Sequence, residues 1–278
     1  MNNFFKKKLI CADKYNDFLG DDLQLSMETH QYGWIPDSPD HRDYQFAALD
    51  QVLPTLPPQI DLTDLCPPVY DQGNKLRSCT ANAIAAAVEF DLMKQKLNVF
   101  VPSRLFLYYN VRAMAGTVNS DAGASIRDGI KSVATQGNCP DPLWPYDVTK
   151  FAVKPPANCY AEATKYKVVN YQSVPQGFNQ LKGCLASGYP FVFGIKVYQS
   201  LDNRTVKQTG HAPMPAPGEK LLGNHAVMAV GYDDSNQWFM VRNSWGTEWG
   251  LKGYFTLPYS FLINGNLSGN FWTIRVVT

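Results

Sequence analysis

The run Val241 Arg242 Asn243 Ser244 Trp245 Gly246 Thr247 Glu248 Trp249 Gly250, with Gly253 Tyr254 just beyond it, decides how this chain of 278 residues is read. Its front end closes a short apolar strand, Trp238 to Arg242, so Asn243 is delivered by a rigid element. Turn residues Asp233 Asp234 Ser235 Asn236 separate that strand from an earlier apolar run, Ala226 to Tyr232, and His225 opens that run after Gly223 Asn224. A histidine at a strand start is ordinarily structural. The other three fare worse as functional candidates: His30 lies in a polar leader, and His41 and His211 lie in charged or Pro-rich loops where a solvated ring is the default.

Upstream, Gln72 and Gly73 open a loop that ends at Cys79, where a small-residue run begins: Thr80 Ala81 Asn82 Ala83 Ile84 Ala85 Ala86 Ala87. Ala81, Ile84, Ala85, Val88 and Leu92 recur at three- and four-residue steps, which predicts a helix with one apolar stripe. Cys79 then sits at a helix N-terminus, whose free N–H groups and dipole favour thiolate over thiol. A thiol nucleophile needs a proton acceptor, a group to orient that acceptor, and donors for an oxyanion. Cys79, His225, Asn243 and Gln72 are the candidates.

These segments resemble the papain-like cysteine peptidases of the C1 family. The Asn-Ser-Trp-Gly-x-x-Trp-Gly run carries most of the resemblance, which extends over residues 57 to 278. His225 follows Cys79 by 146 residues, inside the roughly 130 to 150 residues typical of the papain type. The resemblance implies a two-lobed α+β fold, with a helical left lobe, a β-barrel-like right lobe and the active-site cleft between them. Residue by residue it implies Cys79 as nucleophile, His225 as its proton partner, Asn243 as the acceptor orienting the ring, and Gln72 as an oxyanion-hole donor. Trp245 would shield the His225–Asn243 contact from water. Substrate-binding candidates are Gly123 and Ala122, offering backbone to an extended peptide, with Trp245 and Asn224. Pocket walls are expected from the Pro-rich loop before His225 and from residues 262 to 267.

The chain departs from the family around the nucleophile. Leu76 Arg77 Ser78 Cys79 Thr80 replaces Cys-Gly-Ser-Cys-Trp, so the disulfide that usually ties this loop is missing, and the loop is one residue longer. Such features resemble a low-cysteine branch of bacteria and some viruses. The six cysteines, Cys11, Cys66, Cys79, Cys139, Cys159 and Cys184, are scattered and read as free thiols suited to a reducing compartment, with bridges among Cys139, Cys159 and Cys184 as the alternative.

Elsewhere the reading is coarser. Residues 1 to 52 form a polar N-terminal extension, suitably placed to cross the cleft in cis as an inhibitory pro-region; the alternative is an arm permanently packed on the main domain through Tyr32, Trp34 and Tyr44. Residues 53 to 278 form the peptidase domain, with a helical lobe over about 75 to 160 and a β-rich lobe over about 161 to 278 joined by the crossover segment 53 to 70. A second helix starts at Ser103 with Leu105, Phe106, Tyr109 and Met114 on its buried side, and a third spans Ser125 to Ala134 and ends near Gly137. Strands are expected at Tyr166 to Tyr171, Phe191 to Val197, Ala226 to Tyr232, Trp238 to Arg242 and Tyr254 to Leu257.

A net charge of +1 and a pI near 7.6 leave no electrostatic footprint for nucleic acid or an anionic membrane. Lys6 Lys7 Lys8 is followed by only four apolar residues before Asp13, too short for a signal-peptide core. The expectation is an intracellular monomer, in a bacterial cytoplasm or in a viral particle or host cell. Peptides or proteins would be its substrates, and no metal or organic cofactor is required. The chemistry expected is peptide hydrolysis through an acyl-enzyme thioester. A peptide- or glycan-binding module with weak or no activity, or an acyltransferase using the same dyad, are the alternatives.

Overall fold

The computed structural model describes residues 30–47 and 56–278. Helix α1, Cys79–Lys94, is the hinge of the architecture. The stripe read from its sequence is in fact burial on every side: Cys79 through Leu92 are all buried. Alanines make this workable, because a helix with so little side-chain bulk can be approached closely from all directions. Gly129 of α3, Ile126–Gln136, crosses so near that a Cβ there would stand 2.4 Å from Ile84 Cδ1.

Helix α2, Arg104–Met114, begins at Ser103, whose hydroxyl accepts the Phe106 N–H as an N-cap. Leu105 and Phe106 are buried as expected, but Met114 is 47% exposed and Tyr108 takes the inward place. Helix α3 ends at Gly137, whose φ of 81° closes the turn. A short helix α4, Ala157–Ala163, completes the helical side.

The other lobe is a strongly bent antiparallel sheet. Its strands are β2 (Gln59–Asp61), β4 (Val168–Ser173), β5 (Phe191–Tyr198), β6 (Leu221–Asp233), β7 (Trp238–Arg242), β8 (Tyr254–Pro258) and β9 (Ser268–Val277), after the small pair β1 (Trp34–Ile35) and β3 (Ala124–Ser125). The order is β4-β9-β5-β6-β7-β8, with β2 pairing β6. Thus the crossover segment contributes a strand to the β lobe. Phe191, Phe193, Phe239 and Phe271 stack within its core. The five expected strands are present; β6 runs longer than its apolar core, and β2 and β9 are additional.

Residues 30–47 form an arm laid across both lobes. β1 pairs β3 in parallel, at Trp34 with Ala124 and Ile35 with Ser125. Further on, Asp37 accepts the Trp272 indole N–H at 2.8 Å, and Arg127 donates to Ser38 O and Asp43, each at 2.5 Å. The arm then adds to the edge of β4, where Phe46 N–H donates to Ser173 O and Ser173 N–H to Tyr44 O, both at 2.7 Å. Tyr44 is not an anchor, since it is 80% exposed; Phe46, buried under the Arg275 guanidinium, takes that part.

Candidate active site

Two elements bring the candidates together. Cys79 is the first residue of α1, and His225 lies within β6 with its backbone opposite Ile195 of β5. The Ala226 N–H donates to Cys79 Sγ at 3.4 Å, which ties the helix end to the strand. His225 Nε2 stands 2.8 Å from Asn243 Oδ1, and that same oxygen accepts the Ser244 N–H at 2.8 Å. An oxygen can only accept, so the proton is on Nε2. His225 Nδ1, buried and without another partner, is left with a lone pair. Trp245 stacks on the imidazole at a centroid distance of 4.8 Å and in turn meets Trp249 edge-on.

Gln72 completes the group. Its backbone N–H donates to Ser244 O, and its side-chain oxygen accepts the Ser244 hydroxyl at 2.7 Å. The Gln72 Nε2 is thereby aimed into the cleft. No disulfide holds the loop from Gly73 to Ser78; a polar net does. Arg104 donates to Asp71 O and Asn82 Oδ1 and lies over the rings of Tyr70 and Tyr146. Tyr146 donates to Gln72 O and contacts the Ser78 hydroxyl, while the Asp121 carboxylate accepts the Arg77 N–H and the Tyr108 hydroxyl. Sequence reasoning missed Arg104, Asp121, Tyr146 and Ser244, of which only Ser244 sits inside a readable motif. Cys66, Cys79, Cys139, Cys159 and Cys184 are all free; Cys11 lies outside the described residues.

The arm occupies the cleft. The carbonyl of Gln31 accepts from Gln72 Nε2 at 3.0 Å, and the Gly33 N–H points to Cys79 Sγ. His30, dismissed in sequence as a leader residue, lies flat on Trp245 at 3.9 Å and contacts Asp202 through Nδ1 at 3.1 Å. Tyr32 donates its hydroxyl to the same Asp202 oxygen and sets its ring edge against His225. His211, expected to be solvated, instead stacks on Trp238 and meets Thr256 Oγ1 at 3.0 Å.

Of the substrate-binding candidates, Ala122 and Asn224 line a cavity of about 690 Å³ beside the arm, together with Arg77, Asp202 and Lys220. Residues 213 to 218 and 262 to 267 do not line it. Gly123 is a point of close approach: with φ of 80°, a Cβ there would stand 2.2 Å from Gly33 O. The N–H that pairs with the arm, however, is that of Ala124, which donates to Gly33 O at 2.8 Å; the Gly123 N–H is taken by the Tyr108 hydroxyl.

Burial under the arm works against the expected ionisation. Loss of water pushes the Cys79 thiol up, against the pull of the N–H groups of Ala226, Gly33 and Thr80. The same loss of water pushes His225 down to about 4, against its bond to Asn243. With the arm in place burial therefore favours the neutral thiol and the neutral imidazole, opposing the pull toward thiolate at the helix N-terminus.

The profile of the papain family cysteine proteases matches residues 56–261. This chain belongs to the papain family of cysteine proteases. A curated relative, an uncharacterized peptidase C1-like protein of Acanthamoeba polyphaga mimivirus, is 39% identical over 281 residues, covering 92% of this chain and 90% of the relative. Among solved structures, xylellain, a cysteine protease from Xylella fastidiosa, superposes with a TM-score of 0.85 at 42% identity, over 92% of this chain and 100% of that one. The digestive procathepsin L 3 of Tenebrio molitor larval midgut shares the fold at TM-score 0.67 and 18% identity, over 90% of this chain and 77% of that one. The fold is papain-like α+β, and as a cysteine protease the protein acts on peptides. Among the described residues no helix is long and apolar enough to cross a membrane.

Proposed function

We infer that the chain is a thiol endopeptidase made latent by its own N-terminal arm, with Cys79, His225, Asn243 and Gln72 as its catalytic group. One observation supports the reading: the Gln31 carbonyl accepts from Gln72 Nε2 beside the Gly33 N–H at the Cys79 sulfur, the contacts this reading expects of a scissile peptide. When the arm withdraws, water returns and the thiol proton passes to His225 Nδ1, the free lone pair. The thiolate then attacks the carbonyl carbon, the oxyanion takes the Gln72 amide and the Cys79 N–H, and His225 Nδ1 returns the proton to the leaving amine. Water, deprotonated by His225, releases the thioester. Asn243 keeps the ring in one plane throughout by accepting from Nε2.

The arm suits latency because it runs parallel to β3 and is fastened by Asp202, Arg127 and the β4 edge. On this reading residues 1 to 52 are the pro-region and residues 53 to 278 the peptidase unit. Hydrolysis of a peptidyl coumarin amide by the full chain, by Tyr32→Ala and by Tyr32→Ala/Cys79→Ala tests both parts. Tyr32→Ala should exceed the full chain at least tenfold, and the double variant should be inactive. Equal rates for the first two would reject latency. Hydrolysis that survives Cys79→Ala would reject the nucleophile.

A further inference from the structure

Beyond the cleft the arm delivers a carboxylate, Asp37, to a seat made by the peptidase body. Its two oxygens accept the Arg127 backbone N–H at 3.2 Å and the Trp272 indole N–H at 2.8 Å. The N–H of Asp37 donates to Asn270 Oδ1 at 2.9 Å, so the main chain of this residue is gripped as well as its side chain. The Arg127 N–H is one of the free donors in the first turn of α3, where the helix dipole favours negative charge. The Arg127 guanidinium lies over the Trp272 ring, 5.7 Å from its centroid, and adds a full positive charge.

Where these donors go marks the seat as a binding site and not a part of the body's own fold. Among the described residues the Arg127 guanidinium donates only to Ser38 O and Asp43, and the Trp272 indole only to Asp37; all three are arm residues. Arg127 Nε is buried without a partner. With the arm withdrawn, a guanidinium, an indole N–H and a helix-terminal N–H converge from α3 and β9 with nothing to hold. Such a set is costly to leave unpaired, and a carboxylate satisfies it best. The opposing charge nearby, Asp128, is engaged at the cap of its own helix, where it accepts the Ser125 hydroxyl at 2.8 Å.

The arm also gives the distance to the chemistry. Gly33 meets the Cys79 sulfur, and Asp37 lies four residues on, about 13 Å of extended chain. The leaving amine takes its proton from His225, which Trp245 and then His30 flank. The leaving part of a peptide therefore runs out on that side, and the acyl part past Ala124 toward Arg127. We propose that the Arg127–Trp272–Asn270 seat is a carboxylate site of the uncovered enzyme, which takes an aspartate or glutamate of the substrate on the acyl side, about four residues from the cleaved bond. In the latent chain Asp37 fills it as a stand-in. The proposal rests on the latent-peptidase reading above. Lysine is repelled there by Arg127, and alanine leaves the donors to water.

The test uses full-length Tyr32→Ala/Asp37→Ala/Asp43→Ala, in which the arm no longer brings a carboxylate to Arg127. Its substrates are quenched fluorescent peptides carrying Asp, Glu, Ala or Lys at the third, fourth, fifth or sixth residue on the acyl side. At one of these positions kcat/KM for Asp or Glu should exceed that for Ala at least tenfold, with Lys below Ala. Adding Arg127→Met should bring the acid-to-alanine ratio to within about twofold of one, and Trp272→Phe, which keeps a ring, should lower it at least threefold. Arg127→Glu should turn the preference to Lys, a result that no loss of folding produces. A flat scan, or an acid preference that survives Arg127→Met, overturns the proposal. Binding is the readout independent of turnover. In the same chain carrying Cys79→Ala, anisotropy of fluorescein-labelled peptides should report at least tenfold tighter binding for an acidic peptide than for its alanine counterpart, and about 0.5 M NaCl should erase most of the difference. If no peptide is hydrolysed, the peptidase reading fails and the seat is judged on anisotropy alone, where equal affinities across the set overturn it.

Discussion

The two walls of the cleft are built by different means. On one side His225 lies in β6, paired with Ile195 of β5, and Asn243 follows directly after β7 with its N–H donated to Gly253 O, so backbone pairing and a tryptophan stack fix them. On the other side Gln72 and the approach to Cys79 are held by side chains drawn from far along the chain: Arg104, Asp121, Tyr146 and Ser244. The strand wall is rigid because many backbone bonds are shared. The loop wall is only as firm as a handful of side-chain bonds, so single substitutions there should loosen geometry without unfolding the molecule.

Predictions test that contrast, with activities measured in the Tyr32→Ala background. Replacing the reacting groups comes first: Cys79→Ala or His225→Ala should lower kcat by roughly 10⁴-fold or more, since members of one catalytic unit fail together. Gln72→Ala should cost about 10² to 10³ in kcat, the usual loss for one oxyanion donor, with KM nearly unchanged. Ser244→Ala removes only the bond that aims Gln72, and should cost about tenfold in kcat, in line with one hydrogen bond of about 1 kcal/mol. A loss as large as that of Gln72→Ala would mean that Ser244 does more than aim the amide.

The loop net should show itself in stability as well. Arg104→Met keeps the stem but removes two hydrogen bonds to Asp71 O and Asn82 Oδ1, and should cost about 2 to 4 kcal/mol in urea unfolding. A change below about 0.5 kcal/mol would place the loop's order elsewhere.

The smallest effect concerns pH. In the folded, covered chain His225 is held down to about 4, so the unfolded chain binds the extra proton between that value and the ordinary histidine value of about 6.5. The contribution of His225 to folding stability is therefore undiminished above that window and falls away as pH drops through it. The Cys79 thiol is pushed up, so its contribution runs the other way: stability falls as pH rises past the ordinary thiol value. The Tm of the full chain should be highest near neutrality, with an acid limb that flattens in His225→Ala. An unchanged acid limb in that variant would assign the effect to other groups.

How much of this was legible in sequence follows the same contrast. The strand wall was readable because its residues fall in two short runs, and apolar alternation with turn signals set their limits. The helix of Cys79 was readable in position but not in depth, because alanines give no sign of how many neighbours will crowd them. The net around Gln72 was not readable: Arg104 and Tyr146 look like ordinary surface residues of their own segments, and only folding brings them to the loop. β9 was missed because Gly269 and the positive φ of Asn270 interrupt the pattern at its start. The arm gave two of its anchors, Tyr32 and Trp34, but hid His30 and Phe46, since a segment without a period offers no face to read.

The net around Gln72 bears on how the molecule is made. A loop closed by Arg104, Tyr146 and Asp121 reaches its working shape in the same cooperative step that packs α1, with no oxidant to wait for and no wrong thiol pairings to undo. Its assembly should proceed at the same rate with or without reductant, and heating and cooling should restore the setting of Gln72 as completely as they restore the helix beneath Cys79.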